Sequence, residues 1–122
     1  MTSYAPKLVL ALSAILATSP AFAHAHLKAA VPAAGSTVAA SPAELDLTFS
    51  EGLNLKFTGL KVTGPSKTSV PTGEAKLGAK DDTSLIVPLN GTLEPGTYKV
   101  DWHALSSDGH KTSGSYSFTL KP

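Results

Sequence analysis

The sequence predicts an all-β fold: a seven-stranded antiparallel Greek-key β-sandwich, preceded by a cleavable signal peptide. Three observations carry this. Short runs alternate apolar with polar residues, turn residues separate the runs at regular spacing, and no helical periodicity of useful length follows the first 23 residues. Seven such strands in about 100 residues is the pattern of an immunoglobulin-like or cupredoxin-like sandwich.

The first run is "HLKAAV" at 26–31. "ELDLTF" at 44–49 sets Leu45, Leu47 and Phe49 against Glu44, Asp46 and Thr48, the period of a half-buried strand. "FTGLKVTGP" at 57–65 repeats the pattern with Leu60 and Val62 and stops at Gly64-Pro65. A weak run, "GEAKLG", lies at 73–78. "TSLIVPL" at 83–89 and "TYKVDWHAL" at 97–105 follow, divided by the turn sequence "NGTLEPG", and "SGSYSFTLK" at 113–121 places Tyr116, Phe118 and Leu120 on one face. The stretch from 64 to 83, rich in Gly, Pro, Ser and Lys, reads as a long mobile loop. Trp102 shares its strand face with Tyr98 and Val100, which assigns it to the core between the sheets. His103 falls on the opposite face beside Lys99 and Asp101, where a solvated histidine is the plain expectation.

The N-terminal segment has its own logic. Lys7 precedes an uncharged apolar stretch from Leu8 to Ala17 that is short for a membrane span, and Ala21-Phe22-Ala23 supplies small residues at the positions signal peptidase accepts. The expectation is a signal peptide at 1–23, cleaved after Ala23, and one exported domain at 24–122 without internal repeat or linker. The neighbouring pair Ala23 and Ala25 would place the cut before His26 instead. Either cut exposes a histidine at the new amino terminus.

Composition narrows the chemistry. Ten basic residues, all lysine, stand against nine acidic ones for a formal net charge of +1, which argues against a nucleic-acid surface or a polybasic lipid patch. Cysteine is absent, so stability depends on packing rather than disulfides. The single methionine is Met1, which the cleavage removes, so the exported domain holds no soft sulfur ligand.

"SSDGH" at 106–110 holds the second chemical signal. In an extended chain Asp108 and His110 project to the same side, with Gly109 between them adding no bulk. Taken alone, the segment reads first as an Asp-Gly turn with an incidental histidine. The exposed terminus changes its weight. A terminal histidine offers one ion both its imidazole and its free amine, and the amine's reference pKa of about 7.7–8.0 lets a strongly binding metal displace the proton near neutral pH. Two imidazoles, an amine and a carboxylate form a tetragonal nitrogen and oxygen set that favours Cu(II), with zinc second. Binding should weaken as pH falls, because these nitrogens must lose protons to coordinate.

"HAHLKAAVPAAGS" at 24–36, "LDLTFSEGL" at 45–53 and above all "GTYKVDWHALSSDGHKTSGSYSF" at 96–118 resemble the CopC family of periplasmic copper-binding proteins, over nearly all of 24–122. The resemblance implies a Greek-key sandwich that binds one Cu(II) through a terminal histidine, an aspartate and a second histidine, falling here on His24, Asp108 and His110. Glu51 matches a family glutamate near that site and is carried over as a second-shell or auxiliary ligand. Some family members hold Cu(I) on a methionine-rich loop. The corresponding region here, 64–83, has neither Met nor His, so no Cu(I) site is expected. His26 raises a competing possibility: an amine with histidine in third position can wrap Cu(II) through two backbone nitrogens and dispense with Asp108 and His110.

The implied function is a periplasmic copper carrier or buffer in copper homeostasis or resistance, not an enzyme, exchanging copper with an inner-membrane CopD-type transporter. The rival is a small copper monooxygenase with an N-terminal histidine brace. It needs an open coordination position and a flat face of exposed aromatics, whereas Tyr98, Trp102, Tyr116 and Phe118 all fall on expected core faces. A plain immunoglobulin-like interaction module leaves the histidine at the cleavage site unexplained.

Overall fold

The computed structural model describes residues 25–122; the expected signal segment and His24 lie outside the described residues. Nine strands follow in order: β1 Leu27–Val31, β2 Thr37–Val38, β3 Glu44–Phe49, β4 Gly59–Thr63, β5 Ser69–Val70, β6 Lys76–Leu77, β7 Ser84–Pro88, β8 Gly96–Leu105 and β9 Lys111–Leu120. They form a four-stranded sheet in the order β1-β3-β7-β6 and a five-stranded sheet in the order β2-β9-β8-β4-β5. The chain crosses to the second sheet at β2, returns to the first at β3, crosses again at β4, returns at β6 and crosses a last time at β8. Among the described residues there is no α-helix, and no helix is long and apolar enough to cross a membrane.

The core is the sum of the alternations. Leu45, Leu47 and Phe49 from β3, Leu85 and Val87 from β7, Tyr98, Val100 and Trp102 from β8, and Tyr116, Phe118 and Leu120 from β9 are all buried between the sheets. Burying each large side chain contributes roughly 1.5–3 kcal/mol, and in a chain without disulfides this is the main source of stability. Phe49 meets Trp102 edge-on, with ring centroids 5.1 Å apart and planes at 75°. Tyr98 stacks on Phe118 at 5.5 Å across the β8–β9 pair. The Tyr116 hydroxyl is buried without a hydrogen-bond partner among the described residues, and desolvation raises its pKa.

β8 and β9 form the spine. Ten register pairs run from Gly96↔Leu120 to Leu105↔Lys111, leaving a five-residue connection at 106–110. Trp102 faces Gly114 in this register, and a Cβ at 114 would stand 2.7 Å from the indole Cζ2. Glycine there makes room for the ring. Gly114→Val is therefore expected to displace the indole and destabilise the fold by about 1–3 kcal/mol, the usual range for overpacking. Thermal unfolding checks it; an unchanged melting temperature would contradict the contact.

Four expectations need correction. The strand count is nine, because β2 and β5, two residues each, are too short to show a period. The sandwich is not wholly antiparallel, since β2 pairs β9 in parallel. The run at 57–65 is strand only over Gly59–Thr63. Leu55–Phe57 before it forms a 3-10 turn, whose start is capped by the Asn54 side chain accepting from the Lys56 N–H at 3.1 Å. Finally, the expected loop at 64–83 is organised: it holds a 3-10 turn at Pro65–Lys67 and the strands β5 and β6, which extend the two sheets through β4 and β7. Hairpin pairing with the flanking strands, Val70 with Val62 and Leu77 with Leu85, supplies the order that its Gly, Pro and Ser content does not predict.

Candidate metal centre

The 106–110 connection places the carboxylate and the imidazole together, but by a turn rather than by extended alternation. Ser106 N–H donates to the His110 carbonyl at 2.9 Å, and Gly109 N–H donates back to the Ser106 carbonyl at 2.9 Å. Gly109 takes φ +96°, a conformation that L side chains rarely adopt. The chain folds over itself, and His110 Nδ1 comes to lie 3.1 Å from Asp108 Oδ1.

Ser106 organises this pair. It is almost fully buried at 2% exposure, and its hydroxyl donates to Asp108 Oδ1 while lying 3.3 Å from both the backbone N and O of His110. The Ser106 hydrogen bond, followed by that of the His110 side chain, holds the Asp108 carboxyl below its ordinary pKa. With Oδ1 engaged by the Ser106 hydroxyl, the His110 Nδ1 and the His110 backbone N–H, Oδ2 is the carboxylate oxygen with capacity for a further partner. An imidazole whose Nδ1–H donates to a carboxylate carries its lone pair on Nε2, the arrangement common to metal-binding histidines. Sequence reasoning assigned Ser106 no role. A serine two residues before an aspartate in a turn was the available signal.

The N-terminal segment is drawn to the same end of the sandwich. Ala25 is fully buried, and its carbonyl accepts the Thr112 hydroxyl at 2.8 Å. Thr112 stands two residues after His110, so the residue following His24 is tied beside the turn. His26 is held by a reciprocal pair with Ser50: its N–H donates to Ser50 Oγ at 2.9 Å, and its carbonyl accepts the Ser50 N–H at 2.9 Å. Thr112 and Ser50 are contacts with no local sequence signature, since they join positions 87 and 24 residues apart. His24 lies outside the described residues, so its imidazole is not placed.

Glu51 sits at the margin of this site. It is half-buried in the segment after β3, next to Gly52, whose carbonyl accepts the Ser107 N–H at 2.9 Å. Leu53 bridges to Ser106 beside it. Asp82, which sequence reasoning did not single out, packs its carboxylate against Gly52, where a Cβ would meet Oδ2 at 2.6 Å. His103 is on the outer face of β8 as expected, with Lys99 and Asp101 forming an ion pair at 3.6 Å on that face. Among the described residues, no group of three or more His, Cys, Asp or Glu side chains is clustered to hold a metal.

The profile of the CopC domain matches residues 27–121, which spans both sheets and the Ser106–His110 turn. The chain belongs to the CopC family. Protein YobA of Escherichia coli is 48% identical over 110 residues, covering 90% of this chain and 89% of its own length. Copper resistance protein C of Escherichia coli is 45% identical over 108 residues, covering 83% and 84%. The crystal structure of PcoC, described as a methionine-rich copper resistance protein from Escherichia coli, superposes with a TM-score of 0.74 at 43% identity, covering 81% of this chain and all of the other. Tyr98, Trp102, Tyr116 and Phe118, which the sequence assigns to core faces, are all buried.

Proposed function

We propose that this CopC-family chain is a periplasmic Cu(II) carrier or buffer in copper homeostasis or resistance, exported by cleavage after Ala23 and folding over 24–122. Copper is the cargo. His24, through amine and imidazole, Asp108 and His110 are its ligands, with Glu51 an auxiliary group beside them. The copper-resistance relatives support the choice of metal, and a CopD-type inner-membrane transporter is the exchange partner the family resemblance implies.

The observation that carries the site is the Thr112–Ala25 hydrogen bond. It tethers the chain one residue after His24 to the start of β9, beside the Asp108–His110 pair. The same region weighs against a local His24-Ala25-His26 chelate. That chelate needs the His26 backbone nitrogen, which donates to Ser50 Oγ at 2.9 Å, and the backbone nitrogen of Ala25, a fully buried residue.

The donor set separates this chain from a methionine-rich relative, because its single methionine is Met1. Protein purified with His24 as its first residue should bind one Cu(II) per chain and show no comparable Cu(I) site. Isothermal titration with Cu(II), alongside competition for Cu(I) against a chromophoric chelator, checks both. A Cu(II) stoichiometry other than one, or a tight Cu(I) site, would refute the assignment.

A further inference from the structure

Beside the metal-site turn, the outer face of the five-stranded sheet carries a hollow of about 290 Å³ lined by Lys56, Phe57, His103, Ala104, Lys111 and Thr112. We propose that this hollow is the docking face for an acidic protein segment carrying an aromatic or branched apolar side chain. Its purpose as a route for copper rests on the function proposed above; the binding itself does not.

Phe57 is the only exposed aromatic among the described residues, with 51% of its surface open, while every other one is buried. The Lys56 ammonium lies 5.6 Å from its ring centroid. Neither Lys56 nor Lys111 forms an ion pair among the described residues, although Lys99 on the same sheet face is paired with Asp101. The hollow is thus an apolar plate flanked by two uncompensated ammonium groups. An aromatic anchor edged by cations recruits a partner of opposite charge and buries its apolar residue at the centre.

The surface is held in place by the fold. Gly59 pairs with His103 across β4 and β8, and a Cβ there would stand 3.3 Å from the imidazole Cε1, so the ring has room to lie along the sheet as one wall. Thr58 Oγ1 accepts the Leu105 N–H at 3.0 Å, and Asn54 N–H donates to the Leu105 carbonyl at 2.8 Å, fixing the turn that presents Phe57. Lys111 follows His110 directly, and Thr112 is the residue that ties down Ala25. A segment seated here abuts the turn bearing Asp108 and His110, within reach of the group that would give or take an ion.

The test uses metal-free 15N-labelled protein beginning at His24, so its outcome does not depend on copper. The probe is a short peptide of alternating Glu and Leu with one central Phe, compared with its Gln-for-Glu analogue and with free citrate. Amide shifts should cluster at 55–59 and 103–112. The Gln analogue and a Lys56→Glu/Lys111→Glu variant should each bind at least about tenfold more weakly, Phe57→Ser should also weaken binding, and a Lys28→Glu/Lys76→Glu control on the other sheet should bind unchanged. Retained amide dispersion confirms that each variant is folded. Shifts mapping elsewhere, or full-strength binding by the Lys56→Glu/Lys111→Glu variant, would overturn the proposal. Citrate reproducing the shifts at equal affinity would overturn it in favour of a small-anion site. Intact peptide binding in a protein that takes no copper would leave the docking face standing and remove the copper reading.

Discussion

Replacing Asp108 and His110 together by alanine is expected to weaken Cu(II) binding by more than about 100-fold, because loss of an outer-shell partner alone costs roughly 10–100-fold and the variant removes two of the ligands proposed above. On the proposed assignment, copper joins the N-terminus to the β8–β9 turn in the parent protein. Ligand that binds only the folded state stabilises it, by about 2.7 kcal/mol at a free concentration of 100 times Kd. The double variant should lose this stabilisation together with the affinity. His26→Ala should bind like the parent, since its backbone contacts with Ser50 survive the substitution. One extra residue before His24 should also weaken binding strongly, because the amine then leaves the residue whose imidazole completes the chelate. Copper titration and thermal shift on the four proteins decide it. If His26→Ala is far more damaging than the double variant, the local chelate is the site and Asp108 and His110 are not ligands.

Trp102→Ala is expected to cost roughly 3–5 kcal/mol. Trp102 is buried, with 9% of the residue exposed, and its indole packs edge-on against Phe49 from the opposite sheet, so alanine leaves a cavity at the junction of the two layers. For a domain of this size the melting temperature should fall by on the order of 20 °C. Trp102→Phe should cost less, since it keeps the ring contact while giving up part of the volume. Denaturant unfolding of both variants, followed by circular dichroism, measures the difference. A Trp102→Ala protein as stable as the parent would show that the core does not depend on this ring.

Much of the architecture was legible because alternation is a local signal. β3 spans 44–49 as read, and β8 and β9 match their expected runs to within two residues at each end. Each buries the residues that the period of two places inward. Where alternation was carried by too few residues, as in β2 and β5, or where a side-chain cap competed with it, as Asn54 does before Leu55–Phe57, local pattern was insufficient.

The sequence by itself determined an all-β fold over 24–122, an inward face for Trp102, a donor inventory of nitrogen and oxygen with no sulfur beyond Met1, and the pairing of Asp108 with His110 as a candidate. Only the tertiary structure decided how those donors meet. Extended geometry would have juxtaposed Asp108 and His110 by alternation, whereas the actual pair depends on a positive φ at Gly109 and on a buried Ser106 that binds both ends of the turn. The approach of the N-terminal segment rests on Thr112 and Ser50, residues far from it along the chain. The physical reason is range: side-chain period and ligand chemistry are properties of neighbouring residues, while the approach of the N-terminal segment to the β8–β9 hairpin exists only once the sandwich has closed.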